Sequence, residues 1–106
     1  MKRTSTPEHE FELPFSWDDM VEQFILTYTQ NNQIVLEFTE KDLGDKLTIN
    51  KTTNTLIASL TQEDTAKFSV GTAIAELKVW TKSEKSLISE DIPIYMHKVQ
   101  NERLFK

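Results

Sequence analysis

The 106-residue sequence contains no cysteine, which excludes disulfide bonds, cysteine-ligated zinc and thiol catalysis. Long apolar runs are also missing, because uninterrupted apolar stretches reach only two or three residues. The N-terminal stretch MKRTSTPEHEFEL begins with basic residues but lacks the apolar core of a signal peptide. No segment is long enough to cross a bilayer. We therefore expect no signal peptide and no membrane association.

Positive charge is in deficit, with 12 basic against 17 acidic residues and a formal net charge of −5. This excess of negative charge would repel a phosphate backbone unless the lysines lay together on one face, and the lysines are scattered along the chain. We therefore predict no nucleic-acid binding. Length and an apolar content of 38% fit a single folded domain over residues 1–106. Residues 1–7 and 100–106 are expected to be flexible or docking tails.

Apolar residues recur mainly at every second position, the period of a β-strand. This pattern predicts seven strands over residues 9–13, 21–29, 33–39, 46–50, 55–61, 72–81 and 86–99. Asn31 and Asn32 suit a tight hairpin turn, and Pro93 indicates an edge strand or a bulge. Without a helix of three turns, the pattern predicts an all-β fold. We expect an immunoglobulin-like antiparallel β-sandwich, with a partly open barrel as the alternative.

The stretch LTQEDTAKF (residues 60–68) predicts one short helical turn over residues 61–66. Thr61 is its expected N-cap, and Asp64 can close a capping box. The stretch is similar to a corner of immunoglobulin variable domains, but Phe68 and Val70 stand where that motif has tyrosine and cysteine. Gly71 follows directly. We therefore predict a capped crossover between two sheets, with Phe68 as a core anchor, and not an antibody-type domain.

Four segments occur in the order TPEHEFELPF, ILTYTQNNQIVLEFTE, LTQEDTAKF and AELKVWTKSEKSLISEDIPI. In this order they resemble small proteins encoded in the structural-gene modules of bacteriophages and prophages of Gram-positive bacteria. The resemblance covers roughly residues 6 to 104, and LTQEDTAKF carries most of its specificity. The strand pattern is also similar to the N-terminal sandwich module of some phage baseplate proteins. One departure is KSEK in the last hairpin, where a glycine-containing turn is usual.

The resemblance implies a non-enzymatic virion or assembly component that acts through protein–protein contacts. Its expected partners are other phage structural proteins or further copies of itself. Its expected location is the virion, or the cytoplasm of the bacterial host during assembly. The alternative is a carbohydrate-binding β-sandwich module that recognises the host cell wall.

Few residues suggest chemistry. His9 and His97 lie on the first and last predicted strands and are interpreted as exposed strand histidines, not as a metal or acid–base pair. No nucleophile motif such as G-x-S-x-G occurs. Two acidic clusters lack the ligand spacing of a calcium loop and are interpreted as solvated turns: Asp18, Asp19 and Glu22, and Asp42 with Asp45. The sequence therefore predicts no catalytic residue, no metal site and no cofactor.

The outer face of the last hairpin is the predicted partner surface. A four-residue KSEK loop would pair Trp80 near Ser89, Lys78 near Asp91 and Ile74 near Tyr95. The partner-binding candidates are then Trp80, Tyr95, Ile74 and Leu87. The alternative is that the C-terminal tail folds over this face. Trp17 is a further candidate, which either closes one end of the sandwich or stacks on a partner or a sugar.

Overall fold

A computed structural model describes residues 1–13 and 21–105 of the chain. Eight β-strands form two antiparallel sheets, which confirms the predicted all-β sandwich. The strands are β1 (Glu8–Glu12), β2 (Val21–Gln30), β3 (Gln33–Thr39), β4 (Leu47–Asn50), β5 (Thr55–Ser59), β6 (Gly71–Thr81), β7 (Ser86–Ile88) and β8 (Ile92–Met96). A 3-10 turn covers Glu40–Asp42, and the short helix α1 covers Gln62–Ala66. Neither helical segment is long and apolar enough to cross a membrane.

Among the described residues, the sheet topology is that of an immunoglobulin-like sandwich that lacks one strand. One sheet has the order β1-β5-β4, and the other has the order β3-β2-β6, with β7 and β8 both paired to β6. These orders correspond to strands B-E-D and C′-C-F-G of immunoglobulin sandwiches. Strand A, which would lie beside strand B, has no counterpart among the strands described. Within that part of the chain, β1 is therefore the end strand of its sheet.

The core lies between the two sheets and follows the predicted period of two. The buried apolar side chains of the two longest strands are Phe24, Leu26 and Tyr28 on β2 and Ala73, Ala75, Leu77 and Val79 on β6. Tyr28 pairs with Ala75, so a large ring stands beside a small side chain. The Tyr28 ring meets Phe38 and Phe68 edge-on, at centroid distances of 6.3 and 6.1 Å, an arrangement that aromatic rings favour.

The turn between β2 and β3 is the predicted tight hairpin. Asn31 and Asn32 adopt φ values of 54° and 63°, the left-handed conformation that a two-residue type I′ turn requires at both positions. Asparagine tolerates this conformation better than most residues.

The crossover between the sheets is the predicted capped turn. The Thr61 hydroxyl accepts a hydrogen bond from the Asp64 N–H at 3.1 Å, and the Asp64 carboxylate accepts one from the Thr61 N–H at 3.0 Å. Phe68 is only 1% exposed, as expected of the core anchor. The turn takes the chain from β5 in the smaller sheet to β6 in the larger one.

The prediction of one continuous last strand was wrong. Residues 89–91 interrupt it, leaving β7 and β8 as separate strands. Ser89 bridges the gap, because its N–H donates to the Leu77 carbonyl at 2.9 Å and its hydroxyl accepts from the Leu77 N–H at 2.9 Å. Between the pairs Lys78 with Ile88 and Ala75 with Ile92, β6 has two residues and its partner has three. The extra residue is a bulge, which shifts the register and reverses the facing of side chains.

The predicted hairpin register was also wrong. The Thr81 N–H donates to the Lys85 carbonyl at 2.9 Å, and Glu84 has φ 62°. The loop therefore comprises residues 82–84, a three-residue connection with one left-handed position, and not four residues. Trp80 consequently pairs with Ser86 instead of lying near Ser89.

The other two predicted pairs are not observed either. Lys78 pairs with Ile88 and not near Asp91, and Ile74 pairs with Pro93 and not with Tyr95. Leu87 pairs with the buried Val79 and therefore faces inward.

Both ends of the chain contact the region around α1. Residues 1–3 run parallel to the chain just after β8, where the His97 N–H donates to the Met1 carbonyl at 2.8 Å. The Arg3 guanidinium donates to the carbonyls of Ala66 and Phe68, which lie at and just beyond the C-terminal end of α1. At the other end of the chain, the Phe105 N–H donates to the Gln62 side chain at 2.8 Å.

Candidate binding surfaces

An exposed apolar cluster lies on the outer face of the larger sheet, which we call the tryptophan patch. It consists of Trp80, Ile25 and Ile88 around Lys78. Lys78 on β6 lies between Ile25 on β2 and Ile88 on β7, so all three point away from the core. Trp80 is 40% exposed, Ile25 36% and Ile88 59%. Gln23 and Ser86 flank Trp80 on the neighbouring strands.

The other two hairpin candidates lie on the same face but farther along the sheet. Tyr95 pairs with Thr72, and the half-buried Ile74 pairs with Pro93. Thr72 and Trp80 are eight residues apart on β6, a separation of about 27 Å at the usual rise per strand residue. Glu76 lies between them on the same face. The structure therefore divides the predicted surface into the tryptophan patch and a separate group around Tyr95.

The remaining two candidates stand elsewhere. Leu87 is 41% exposed but faces the inner side of the sheet, so its predicted place on the outer face was wrong. The cause is the bulge, which gives β7 and β8 opposite parity. Trp17 lies outside the described residues, and its predicted role stays a prediction.

Leu87 lines an apolar cavity of about 370 Å³ between β1, at the end of its sheet, and the β7–β8 edge of the opposite sheet. We call this cavity the edge groove. Its apolar lining residues are Phe11, Leu13, Leu77, Val79, Leu87, Ile88 and Ile92. Glu10, Glu12 and Ser89 complete the lining. Reasoning from the sequence did not find this groove, because a missing strand becomes evident only once the sheet order is known.

The two histidines lie in different parts of the structure, His9 on β1 and His97 just after β8, and have different surroundings. His97 is exposed, as expected, and its ring lies against Tyr95 at a centroid distance of 4.7 Å. His9 is half-buried, contrary to the prediction, because it points between the sheets and its Nδ1 lies 2.7 Å from the hydroxyl of the buried Tyr28. Burial lowers the pKa of His9, and the positive N-terminus lowers it further. Burial raises the pKa of Tyr28, and the negative charge of Asp64 adds to this effect.

The low pKa of His9 predicts that stability falls with acidification. In the unfolded chain His9 has a pKa near 6.5, so below that pH the unfolded state binds a proton that the folded state resists. The free energy of unfolding should therefore decrease as the pH falls through 6.5 towards the lower pKa of the folded state. Urea denaturation between about pH 7.5 and 5 measures this decrease, and His9→Gln should flatten it. An equally steep decrease in His9→Gln would contradict the assignment.

Within residues 1–13 and 21–105, no group of three or more histidine or acidic side chains could hold a metal ion. The Asp42 carboxylate accepts a hydrogen bond from the Thr39 N–H at 2.9 Å and closes a capping box on the 3-10 turn. Asp42 therefore has a structural role. Asp18 and Asp19, which belong to the other acidic cluster, lie outside the described residues.

Comparison with protein-family models, with curated proteins and with solved structures found no match for this chain.

Proposed function

We propose that the protein is a non-enzymatic assembly component of a bacteriophage or prophage particle and that it binds another particle protein through the tryptophan patch. The phage context comes from the sequence resemblance. The observation that carries the binding role is the open tryptophan patch, with three apolar side chains between 36% and 59% exposed on adjacent strands. Tryptophan is enriched among the residues that contribute most to binding at protein interfaces.

The position of the C-terminal tail supports this role. The sequence left open that the tail covers the outer face, but the tail contacts Arg3 and Gln62 near α1. Trp80 lies at the opposite end of β6, whose first residue follows the crossover that contains α1. The tail contacts made by Glu102 and Phe105 therefore lie away from the tryptophan patch.

Chemical cross-linking of tagged protein in purified particles, followed by mass spectrometry, would identify the neighbouring particle protein. We expect Trp80→Lys to weaken binding to that protein at least about 10-fold, because it places a charge in the apolar contact. Thr48→Lys is the matched control, since Thr48 is exposed on β4 of the other sheet. Absence of the protein from particles, or equal affinities for both variants, would refute the proposal.

A carbohydrate-binding role is the second candidate, and one observation favours it. A shallow pocket of about 190 Å³ beside Trp80 includes Gln23, Lys78 and Ser86, so polar groups surround an exposed aromatic side chain. Titration with purified cell-wall polysaccharide distinguishes the two roles. Saturable polysaccharide binding that Trp80→Ala abolishes would favour this candidate, whereas no binding would leave the protein partner as the ligand of the patch.

A further inference from the structure

The edge groove occupies the place of a missing strand. In immunoglobulin sandwiches strand A pairs with strand B, and β1 is the counterpart of strand B. β1 pairs with β5 on one side and is the end strand of its sheet. Within residues 1–13 and 21–105, no strand pairs with its other edge, which presents backbone donors and acceptors towards the groove. An added strand can form a ladder on such an edge.

The interior of the groove is suited to apolar side chains. Phe11 on β1 and Leu77 and Val79 on β6 form part of its inner lining, and Leu87 on β7 lines the opposite edge. Leu87 remains 41% exposed, although it faces the same side as the buried Val79. The groove volume of about 370 Å³ lies within the range of ordinary binding cavities. A strand added to β1 would send every second side chain into this space.

Among the described residues, the N-terminal segment lies at one end of the gap between the sheets. Residues 1–3 lie beside the end of β8, and the Met1 amino group donates to the Tyr95 carbonyl at 3.0 Å. Farther along β8, Pro93 has no N–H to donate, which weakens that strand as an edge for pairing. The five residues of β1 contain no proline, so β1 is the better edge for an added strand.

The charges on β1 indicate which side chains an added strand would carry on the face that points away from the groove. Glu8, Glu10 and Glu12 alternate with His9 and Phe11 and point to the outer face of the smaller sheet. Side chains directly across an antiparallel pair interact, and opposite charges are favoured there. Across the groove, the exposed Glu90 and Asp91 add further negative charge in the bulge between β7 and β8. Lysine or arginine at every second position of an added strand would complement the glutamates.

We propose that the edge groove binds an extended segment of a partner protein, in which apolar and basic residues alternate, as an added strand antiparallel to β1. This inference goes beyond the proposed role of the tryptophan patch. The two can fail separately, because Leu87 and Trp80 face opposite sides of the same sheet.

The direct test titrates the full chain with a fluorescent peptide of about seven residues that alternates lysine with valine or leucine. A second peptide has the same composition in an order without alternation. A third carries N-methyl groups on the backbone nitrogens that would face β1. We expect the alternating peptide to bind at least about 10-fold more tightly than either control. Only this peptide can place its apolar side chains in the groove and also form all the backbone hydrogen bonds with β1. Binding that weakens with added salt would reflect the glutamates.

Two protein variants locate the site. Leu87→Lys places a charge in the groove and should weaken binding of the alternating peptide at least about 10-fold, whereas Trp80→Lys should leave it unchanged. The two positions are matched in exposure, at 41% and 40%. The double variant Glu10→Lys with Glu12→Lys should reverse the preference, favouring a peptide with glutamate in place of lysine.

No binding of the alternating peptide to the wild-type chain would overturn the inference. Equal binding of all three peptides would do the same, because it would show non-specific attraction to an acidic protein. If Trp80→Lys weakened binding of the peptide and Leu87→Lys did not, the peptide would bind at the tryptophan patch. That result would contradict the groove while leaving the proposed function intact.

Discussion

Replacing Phe68 by alanine is expected to lower the free energy of unfolding by about 3–5 kcal/mol. The Phe68 ring is almost fully buried and meets Tyr28 edge-on at a centroid distance of 6.1 Å. The substitution removes apolar contacts and leaves a cavity where the crossover joins the larger sheet, a site held by backbone hydrogen bonds that resist collapse. This loss is a large fraction of the 5–15 kcal/mol that stabilises a typical domain.

Urea denaturation monitored by circular dichroism measures the effect of Phe68→Ala. Val70→Ala is the control, because Val70 is two residues away and 52% exposed, and it should change stability by less than about 0.5 kcal/mol. Phe68→Leu should fall between the two. A loss below about 1 kcal/mol for Phe68→Ala would show that the crossover is not anchored as described.

Replacing Asp64 by alanine is expected to destabilise the fold by about 2–3 kcal/mol. Asp64 is buried, and its carboxylate accepts from the Thr61 N–H at 3.0 Å and from the Lys46 ammonium at 2.9 Å. Alanine removes both interactions and leaves the N-cap donor without its partner. Lys46 is partly exposed and can recover hydration, which keeps the cost below that of breaking a fully buried ion pair.

Two substitutions separate the contributions of Asp64. Asp64→Asn retains an oxygen acceptor without the charge and should cost about half as much as alanine. Glu63→Ala tests the exposed neighbour in the first turn of α1 and should cost less than about 0.5 kcal/mol. Equal losses for Glu63→Ala and Asp64→Ala would contradict a specific role for the capping box. Thermal and urea denaturation of the three variants provide the comparison.

Asp64 also predicts a pH dependence in a more acidic range than that of His9. Burial alone would raise the pKa of Asp64, but hydrogen bonds from Thr61 and Lys46 and the positive charge of Lys46 outweigh it and lower the pKa below 3.8. The stabilisation is therefore complete above the unfolded-state pKa and is lost as the pH falls through the lower folded-state pKa. Asp64→Asn should remove this part of the acid sensitivity and leave the part due to His9.

The predictions that succeeded depend on residues close together in the chain. The hairpin at Asn31 and Asn32 follows from backbone conformations that asparagine tolerates, and the capping box joins Thr61 to a residue only three positions later. The buried faces of β2 and β6 follow from alternation over residues 23–30 and over the eleven residues of β6. In such cases the local sequence pattern predicts the backbone conformation and the burial that the folded protein shows.

The predictions that failed depend on register between strands. Glu84 adopts a left-handed conformation that its residue type does not signal, so the loop length was misjudged. Leu87 and Ile88 are both apolar, and alternation cannot decide which of them faces inward. The Ser89 hydroxyl then takes the place of a backbone acceptor, and the hydrophobic pattern of the sequence does not indicate this bulge.

By itself, the sequence determined the all-β class, the turn at Asn31 and Asn32, the capped crossover at Thr61 and the alternation that places glutamates and apolar residues on opposite faces of β1. These features depend on backbone preference and period, which are local. Only the tertiary structure decided which apolar residues remain exposed and that β1 is the end strand of its sheet among the residues described. Those outcomes depend on sheet order and on the bulge between β7 and β8, where contacts between distant residues set the register.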